Sequence, residues 1–119
     1  MLPAEARMRR STEFTMAVRR GVRSGRRLVT GHLLVQDGPD EQPRVGFVVS
    51  RAVGGAVVRN KVRRRLRHLA RGYLDSLPEG SLLVVRANPP AAVARQADLA
   101  ADLDLVVRNL LRRQVGALR

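Results

Sequence analysis

Basic side chains are concentrated in residues 53–73, VGGAVVRNKVRRRLRHLARGY. At about 100° per residue, a helix through this segment has one narrow apolar stripe, made of Val58, Val62, Leu66, Leu69 and Tyr73. The opposite arc is polar and mostly cationic, and it consists of Asn60, Lys61, Arg63, Arg64, Arg67, His68 and Arg71. Arg59 and Arg65 flank the stripe on its two edges. One face can therefore pack on a core while the other presents fixed positive charges.

Guanidinium groups suit phosphate, because their planar fork donates two hydrogen bonds to one anion. No acidic residue lies between Glu41 and Asp75, so this face has no carboxylate of its own segment to neutralise it. A helix so charged on one side repels itself unless an anion binds. An ordinary solvated face is the alternative, but such faces usually mix both signs of charge. The pattern favours a polyanionic partner.

The composition of the whole chain indicates the same kind of partner. Among 119 residues, 23 Lys and Arg outnumber 10 Asp and Glu, which gives a net charge of +13 and a pI near 11.9. This excess is typical of nucleic-acid-binding proteins. The chain has one Tyr and two Phe, too few for a platform of several stacked aromatic rings. Its length predicts a single domain over residues 1–119.

Side chains that perform catalysis by themselves are scarce. There is no cysteine, and His32 and His68 stand alone, so the chain offers no nucleophilic triad. Asp98 and Asp102 are helix neighbours, but carboxylates early in a helix usually complement its dipole. His32 is expected to be a packing or edge residue of a strand, and His68 either a phosphate contact or a surface residue. We predict no catalytic residue and no metal site in the protein.

The sequence also bears on location. No apolar run is long enough to span a bilayer, and no apolar segment follows the basic N-terminal residues as in a secretory signal. The basic helix uses its apolar stripe for the core, and no Trp or Phe set is available as a lipid anchor. A cytoplasmic protein that does not bind membranes is expected.

The rest of the chain alternates between helical and strand patterns. Residues 1–10 are expected to form a flexible basic arm, and residues 37–43 a polar loop. The main elements are predicted as a helix over 12–20, strands over 28–36 and 44–51, the basic helix over 56–76, a strand over 81–86 and a helix over 92–115. The strand over 44–51 is almost continuously apolar and is expected to be central. The order α-β-β-α-β-α, with an extra strand left open early in the chain, predicts an α+β sandwich.

Residues 46–67, GFVVSRAVGGAVVRNKVRRRLR, resemble the signature of the bacterial ribonuclease P protein subunit. That family has a strand ending in Gly-Phe-x-Val-Ser and a basic residue, then a Gly turn, then Ala-Val-x-Arg-Asn followed by closely spaced basic residues. Residues 9–14, RRSTEF, are similar to the family's basic-x-x-x-Phe opening of the first helix, and residues 81–88 to its later strand. The resemblance covers essentially the whole chain.

The resemblance implies a small central sheet with an unusual left-handed β-α-β crossover. It implies that the catalytic centre belongs to a large RNA and that Mg²⁺ is held mainly by that RNA. The holoenzyme hydrolyses one phosphodiester bond of precursor tRNA, which removes the 5′ leader. The expected partners are the ribonuclease P RNA, in a 1:1 complex with a monomeric protein, and precursor tRNA.

Site residues follow by position from the same resemblance. The catalytic RNA is expected to contact Arg59, Asn60, Lys61, Arg63, Arg64, Arg65, Arg67 and His68. A cleft between the first helix and the sheet is expected to hold the single-stranded leader with Phe14, Val18, Ser50, Arg51 and Arg86. Two residues keep a structural alternative: Asn60 as a cap near the helix start, and Phe14 as a plain core residue.

Two other functions remain open from the sequence. A ribosomal or other structural RNA-binding protein is the second candidate, and the Arg-Asn-basic helix after Gly-Phe-Val-Val-Ser-Arg argues against it. A protein-only nuclease is the third, and it requires a carboxylate or histidine metal cluster that the sequence does not suggest.

Overall fold

Four β-strands form one mixed sheet, and α-helices cover both of its faces. The computed structural model describes residues 2–36 and 42–117, so most of the loop predicted over 37–43 lies outside the described residues. The helices and strands are α1 (Ser11–Arg20), β1 (Val22–Gly25), β2 (Val29–Val35), β3 (Arg44–Val48), α2 (Ala56–Ala70), β4 (Ser81–Ala87) and α3 (Gln96–Ala117). Short 3₁₀ helices are formed by Ala4–Ala6, Arg71–Ser76 and Pro89–Val93.

The strand order across the sheet is β1-β2-β4-β3. β2 is antiparallel to both β1 and β4, whereas β3 and β4 are parallel, with Val45 opposite Leu83 and Phe47 opposite Val85. Parallel neighbours cannot be joined by a hairpin, so α2 forms the crossover between them. The predicted α+β sandwich with a β-α-β crossover is therefore confirmed. The left hand of the crossover stays an expectation from the resemblance.

β1 is the extra strand that the sequence left open, in a stretch that reads as a basic connection. Its residues, VRSG, have no apolar alternation, and Ser24 is the buried one among them. Ser24 Oγ accepts a hydrogen bond from Asn109 Nδ2 at 2.8 Å, and a guanidinium N–H of Arg113 donates to the carbonyl oxygen of Arg23. Pairing with β2 and contacts with α3, rather than an apolar pattern of its own, therefore hold this strand at the edge of the sheet.

β4 lies inside the sheet and is buried on both faces. Leu82 and Val84 face α1, while Leu83 and Val85 face the layer formed by α2 and α3, and none of the four is more than 1% exposed. A strand that is buried on both sides requires a continuous apolar run, which SLLVV provides. β4 therefore joins the two halves of the core.

The apolar run of β3 predicts a central strand, and this prediction is wrong. β3 lies at the edge of the sheet and ends at Val48, three residues earlier than expected. Its outer side is covered by the N-terminal segment, because Met8 N donates to Val45 O at 2.9 Å and Arg7 forms a parallel bridge to Val45. The N-terminal segment thus covers this edge of the sheet at Val45.

The N-terminal segment, residues 2–8, is thus docked on the protein and is not the flexible arm that the sequence predicts. Leu2, Ala6 and Met8 are buried, with Leu2 only 2% exposed. The even spacing of Leu2, Ala6 and Met8 matches a strand period, but Pro3 and the three arginines of residues 1–10 favoured an arm. The physical reason for docking is the apolar area that these side chains remove from water.

α2 packs through one stripe, as predicted. Val62, Leu66 and Ala70 are buried, and Leu69 packs partly buried against the same core. Val58 is 36% exposed, because the first turn of the helix extends beyond the core. The α-helix ends at Ala70, and the residues up to Ser76 continue as a 3₁₀ helix.

α3 is the core-forming scaffold that the sequence predicts. Its buried residues are Leu99, Leu103, Val106, Val107 and Leu110. The helix begins at Gln96 instead of Ala92, because Pro89–Val93 forms a separate 3₁₀ helix and Ala94 is extended with ψ at 147°. α3 packs directly on the backbone of β2 at Gly31, where a Cβ would lie 2.6 Å from a methyl carbon of Val106.

Tyr73 connects the 3₁₀ extension of α2 to α3. Its hydroxyl donates to Asp104 Oδ1 at 2.8 Å, and Arg108 Nε donates to Asp104 Oδ2 at 2.8 Å. Burial raises the pKa of Tyr73 to about 12, the hydrogen bond to Asp104 and its negative charge add to this, and Arg108 opposes it. The phenol therefore stays protonated in the folded protein at pH values where it ionises in the unfolded chain.

We expect this interaction to make stability pH-dependent. A pKa raised by folding gives stability that is complete below pH 10, the ordinary value, and is lost as the pH rises toward about 12. At neutral pH, Tyr73→Phe should lower the free energy of unfolding by about 1 kcal/mol, the net value of one hydrogen bond. Urea unfolding at pH 8, 10 and 11 should show the wild type and the variant converging. Parallel curves across that range would contradict the assignment.

Candidate nucleic-acid interface

The outward face of α2 forms an open basic groove of about 510 Å³, lined by Asn60, Arg63, Arg64, Arg67 and His68. These side chains share one arc because α2 buries its opposite stripe against β3 and α3. Five of the eight residues predicted to contact RNA are therefore brought together. His68 is exposed there, at the end of the helix where a cation complements the helix dipole.

The positive charge of this face is not compensated by the protein. Within residues 2–36 and 42–117, no guanidinium of α2 pairs with a carboxylate. Two of the described carboxylates form ion pairs elsewhere: Glu13 is buried against Arg44, and Asp104 binds Arg108. A concave surface lined by one sign of charge concentrates counterions, and phosphate is the anion that arginine forks fit.

Arg65 has a different environment from its neighbours on α2. Its Nη1 donates to the carbonyl oxygen of Ala94 at 3.0 Å, which ties α2 to the segment after the 3₁₀ helix Pro89–Val93. The sequence already places Arg65 at the edge of the apolar stripe, which is the signal for this role. We therefore assign Arg65 first to holding α2 in place.

Asn60 lies within α2, whose N-cap is Gly55, so the cap alternative is excluded. Its Oδ1 accepts a hydrogen bond from Arg63 Nη1 at 3.3 Å, which restrains that guanidinium. Arg59 is half-buried, and its Nε has no partner in the described part of the chain. Lys61 is exposed.

Of the residues predicted for the leader cleft, Phe14 lies deepest. Its half-buried ring covers Gly46 of β3, where a Cβ would stand 2.4 Å from the Phe14 Cζ. Glycine at this position is what lets the ring lie on the strand. Phe14 also packs beside a smaller cluster formed by Met8, Ala17, Leu82 and Val84. It is thus partly a core residue and partly available to a ligand.

The other four predicted cleft residues are exposed. Val18 is 38% exposed and lies one helical turn after Phe14 on α1. Arg86 pairs in register with Val48, the last residue of β3, and Ser50 and Arg51 lie two and three residues after that strand. Ser50, Arg51 and Arg86 therefore lie at the same end of the sheet.

A second groove, of about 270 Å³, connects the two predicted surfaces. It runs along β3, and its lining residues are Arg7, Met8, Arg9, Phe14, Val45, Gly46, Phe47, Arg63 and Arg67. Phe14 from the predicted leader cleft and two arginines from the predicted RNA-binding helix thus share one groove. Sequence reasoning missed Arg7 and Arg9, because it interpreted residues 1–10 as an arm; the alternation of apolar residues over residues 2–8 was the available signal.

His32 is a packing residue, one of the two alternatives that the sequence left. β2 is an interior strand, and His32 is only 6% exposed, with a buried Nδ1 that has no hydrogen-bond partner in the described part of the chain. Burial, then the positive charges of Arg23 and Arg86, lower the pKa of His32 below 6.5. The ring is therefore neutral at neutral pH and adds no charge to the surface around Arg86.

Two further findings concern other kinds of site. Among the described residues, no group of three or more His, Cys, Asp or Glu side chains is placed to hold a metal ion. The helices in those residues also include none whose length and apolar character would allow it to cross a membrane.

Comparison with known proteins gives a consistent result. A family model described as Ribonuclease P matches residues 2–111. The chain is 58% identical over 118 residues to the ribonuclease P protein component of a Nocardioides species, covering 98% of this chain and 97% of that protein. It is 54% identical over 118 residues to the ribonuclease P protein component of Streptomyces griseus, covering 93% and 96%.

Solved structures agree in fold. The Staphylococcus aureus RNase P protein superposes with a TM-score of 0.75 at 22% identity, covering 87% of this chain and 93% of that one. The RNase P protein from Thermotoga maritima gives a TM-score of 0.70 at 22% identity, covering 86% and 96%. At this identity the likeness concerns the fold alone, whereas the family model and the close relatives identify the sequence. The chain belongs to the ribonuclease P protein family.

Proposed function

We propose that this chain, as the protein subunit of a bacterial ribonuclease P, binds the catalytic RNA through α2 and holds the 5′ leader of precursor tRNA. The observation that carries the proposal is the cationic face of α2, unpaired within the described residues, beside a groove that contains Phe14. Family membership supports the ribonuclease P RNA as partner. The proposal includes a 1:1 complex with a monomeric protein in the cytoplasm.

The RNA-binding residues divide into two groups by environment. Lys61, Arg64 and His68 are exposed, so we assign them to phosphates of the catalytic RNA. Arg63 and Arg67 are half-buried where this face meets the groove of Phe14, and we assign them to RNA phosphates at that boundary. Asn60 and Arg65 are assigned mainly to holding Arg63 and α2, respectively. Arg59 is assigned to RNA because its Nε has no partner in the described part. Phosphate contacts of this kind position the RNA without reading its sequence.

The leader is assigned to the side of the sheet that α1 covers. Phe14 and Val18 offer apolar contact to an unpaired base, and Arg51 and Arg86 offer cations to the leader backbone. Ser50 adds a hydroxyl beside Arg51. Mature tRNA has no leader, so these contacts favour the precursor.

Hydrolysis of the phosphodiester bond is assigned to the RNA subunit. The described residues contain no cluster of His, Cys, Asp or Glu that fits Mg²⁺, and we assign the metal mainly to the RNA, as the family resemblance implies. The protein supplies positive charge, which offsets repulsion between RNA strands and reduces the magnesium that the RNA needs.

Reconstitution tests the proposal. Precursor tRNA is incubated at low magnesium with the protein alone, with a bacterial ribonuclease P RNA alone, and with both. We expect cleavage at the mature 5′ end only with both, because the RNA provides the active site and the protein provides the neutralising charge. Equal cleavage by the RNA alone, together with tight binding of the protein to ribosomal RNA, would favour a structural RNA-binding protein. Cleavage by RNA-free protein would indicate a protein-only nuclease.

The leader assignment has its own test. The double variant Phe14→Ala plus Arg51→Ala should reduce the ratio of precursor to mature tRNA affinity of the holoenzyme by about tenfold, the value of one apolar base contact and one phosphate contact. The affinities are measured by titration at fixed salt.

Arg64→Ala is the matched control for this test. It removes an exposed α2 charge and should weaken assembly with the catalytic RNA while leaving the precursor-to-mature ratio unchanged. An unchanged ratio in the Phe14 and Arg51 double variant, with its thermal unfolding still cooperative, would show that the leader binds elsewhere.

A further inference from the structure

Docking of the N-terminal segment brings Arg7 to the groove that Arg63 and Arg67 of α2 also line. Arg7 is more than 50 residues from Arg63 and Arg67 in sequence, so no local pattern predicts that the three guanidinium groups line one groove. Strand β3, with Val45 and Phe47, lies in the same groove between them.

Arg7 is held in place by contacts that leave its charged end available. Its backbone forms a parallel bridge to Val45, and Met8 N donates to Val45 O at 2.9 Å. Its Nε donates to the carbonyl oxygen of Leu2 at 3.2 Å. The terminal amino groups Nη1 and Nη2 make no hydrogen bond to another described residue. They are therefore free to donate as a pair to a ligand.

Arg67 lies in an unfavourable environment for a cation. It is half-buried, and neither a hydrogen bond nor an ion pair to its side chain occurs within residues 2–36 and 42–117. Burial, then the positive charges of Arg7 and Arg63, lower the pKa of Arg67. Like charges that converge in a partly buried groove are costly unless an anion lies between them.

We propose that Arg7, Arg63 and Arg67 form a binding site for one phosphodiester group of bound RNA. The inference rests on the proposed function and adds the N-terminal segment to the RNA-binding surface. The ligand is a phosphate from either the catalytic RNA or the precursor leader, because the groove lies between the α2 face and Phe14. In both cases one phosphate bridges the N-terminal segment and α2, and the docked segment is part of the recognition surface.

The test is a double-variant cycle of Arg7→Gln, Arg67→Gln and both together, in the full-length protein. Two controls remove the same charge elsewhere: Arg10→Gln, in the groove that contains Glu5 and Glu13, and Arg112→Gln, on the exposed side of α3. One arm measures affinity for ribonuclease P RNA, and the other measures precursor and mature tRNA affinity of the assembled holoenzyme.

Each single variant should weaken binding by about tenfold in at least one arm, and the double variant should weaken it by much less than the product, because both arginines bind the same phosphate. Weaker binding of ribonuclease P RNA assigns the phosphate to the catalytic RNA. A loss confined to precursor tRNA assigns it to the leader. The proposal is overturned if the affinity falls no more than in the Arg10 and Arg112 controls. It is also overturned if the loss of affinity in the double variant equals the product of the two single losses.

The thermal stability of the Arg67 variant distinguishes a phosphate site from a structural role of Arg67. Arg67→Gln breaks no hydrogen bond among the described residues and relieves repulsion, so its Tm should equal or exceed that of the wild type while RNA binding weakens. A lower Tm with unchanged RNA binding would contradict the site. If Arg7→Gln does not fold, the Tm and the RNA affinity of Arg67→Gln still test the site. If the wild-type protein does not bind ribonuclease P RNA, the proposed function is wrong. If the wild type binds and the Arg7 and Arg67 variants bind equally well, only this inference is wrong.

Discussion

The cationic face that the protein presents to RNA depends on the one-sided burial of α2. The parallel pairing of β3 and β4 requires a crossover, and α2 makes it with Val62, Leu66 and Ala70 in the core. A helix fixed along one stripe cannot rotate, so the arginines on its other arc keep a constant direction. Burying the aliphatic stripe stabilises the helix by several kcal/mol, at about 1.5–3 kcal/mol for each fully buried large side chain. That gain offsets the mutual repulsion of the cations on its surface.

The two-sided burial of β4 extends the same constraint across the sheet. Leu83 and Val85 hold the α2 and α3 layer, while Leu82 and Val84 hold α1. Phe14 is thereby set over Gly46, on the edge strand that leads through Ser50 and Arg51 toward α2. The apolar contact proposed for the leader and the cations proposed for the catalytic RNA are thus arranged around a single strand.

Periodicity in the sequence predicted the elements that carry their own hydrophobic pattern. The stripe of α2, the buried face of α3 and the continuous run of β4 all follow from local spacing, and the structure confirms them. β1 was not predictable in this way, because it has no apolar alternation and is placed by its pairing with β2 and by contacts with α3, such as that of Ser24 with Asn109. The N-terminal segment does alternate apolar residues, but its docking site at Val45 is distant in sequence.

The same division applies to the candidate site. The outward direction of Arg64 and His68 follows from helical geometry alone, and the sequence predicts it. The bond from Arg65 to Ala94 depends on where the segment after β4 lies, and the convergence of Arg7 with Arg67 depends on how the sheet edge is covered. The sequence places β3 at the centre of the sheet because apolar composition reports burial. It does not report whether a neighbouring strand or an N-terminal segment provides that burial.

The measurement that best examines one-sided burial compares Arg64→Gln with Arg65→Gln, two substitutions that remove the same charge from adjacent positions of α2. For each variant, affinity for ribonuclease P RNA is measured as a function of salt, and stability by urea unfolding. Arg64→Gln should reduce the slope of log affinity against log salt by about one and leave stability unchanged. Arg65→Gln should lower the free energy of unfolding by about 1–2 kcal/mol, because it frees the carbonyl of Ala94, and change the slope less. Equal effects of the two substitutions on both quantities would contradict the division of α2 into a buried side and an RNA-binding side.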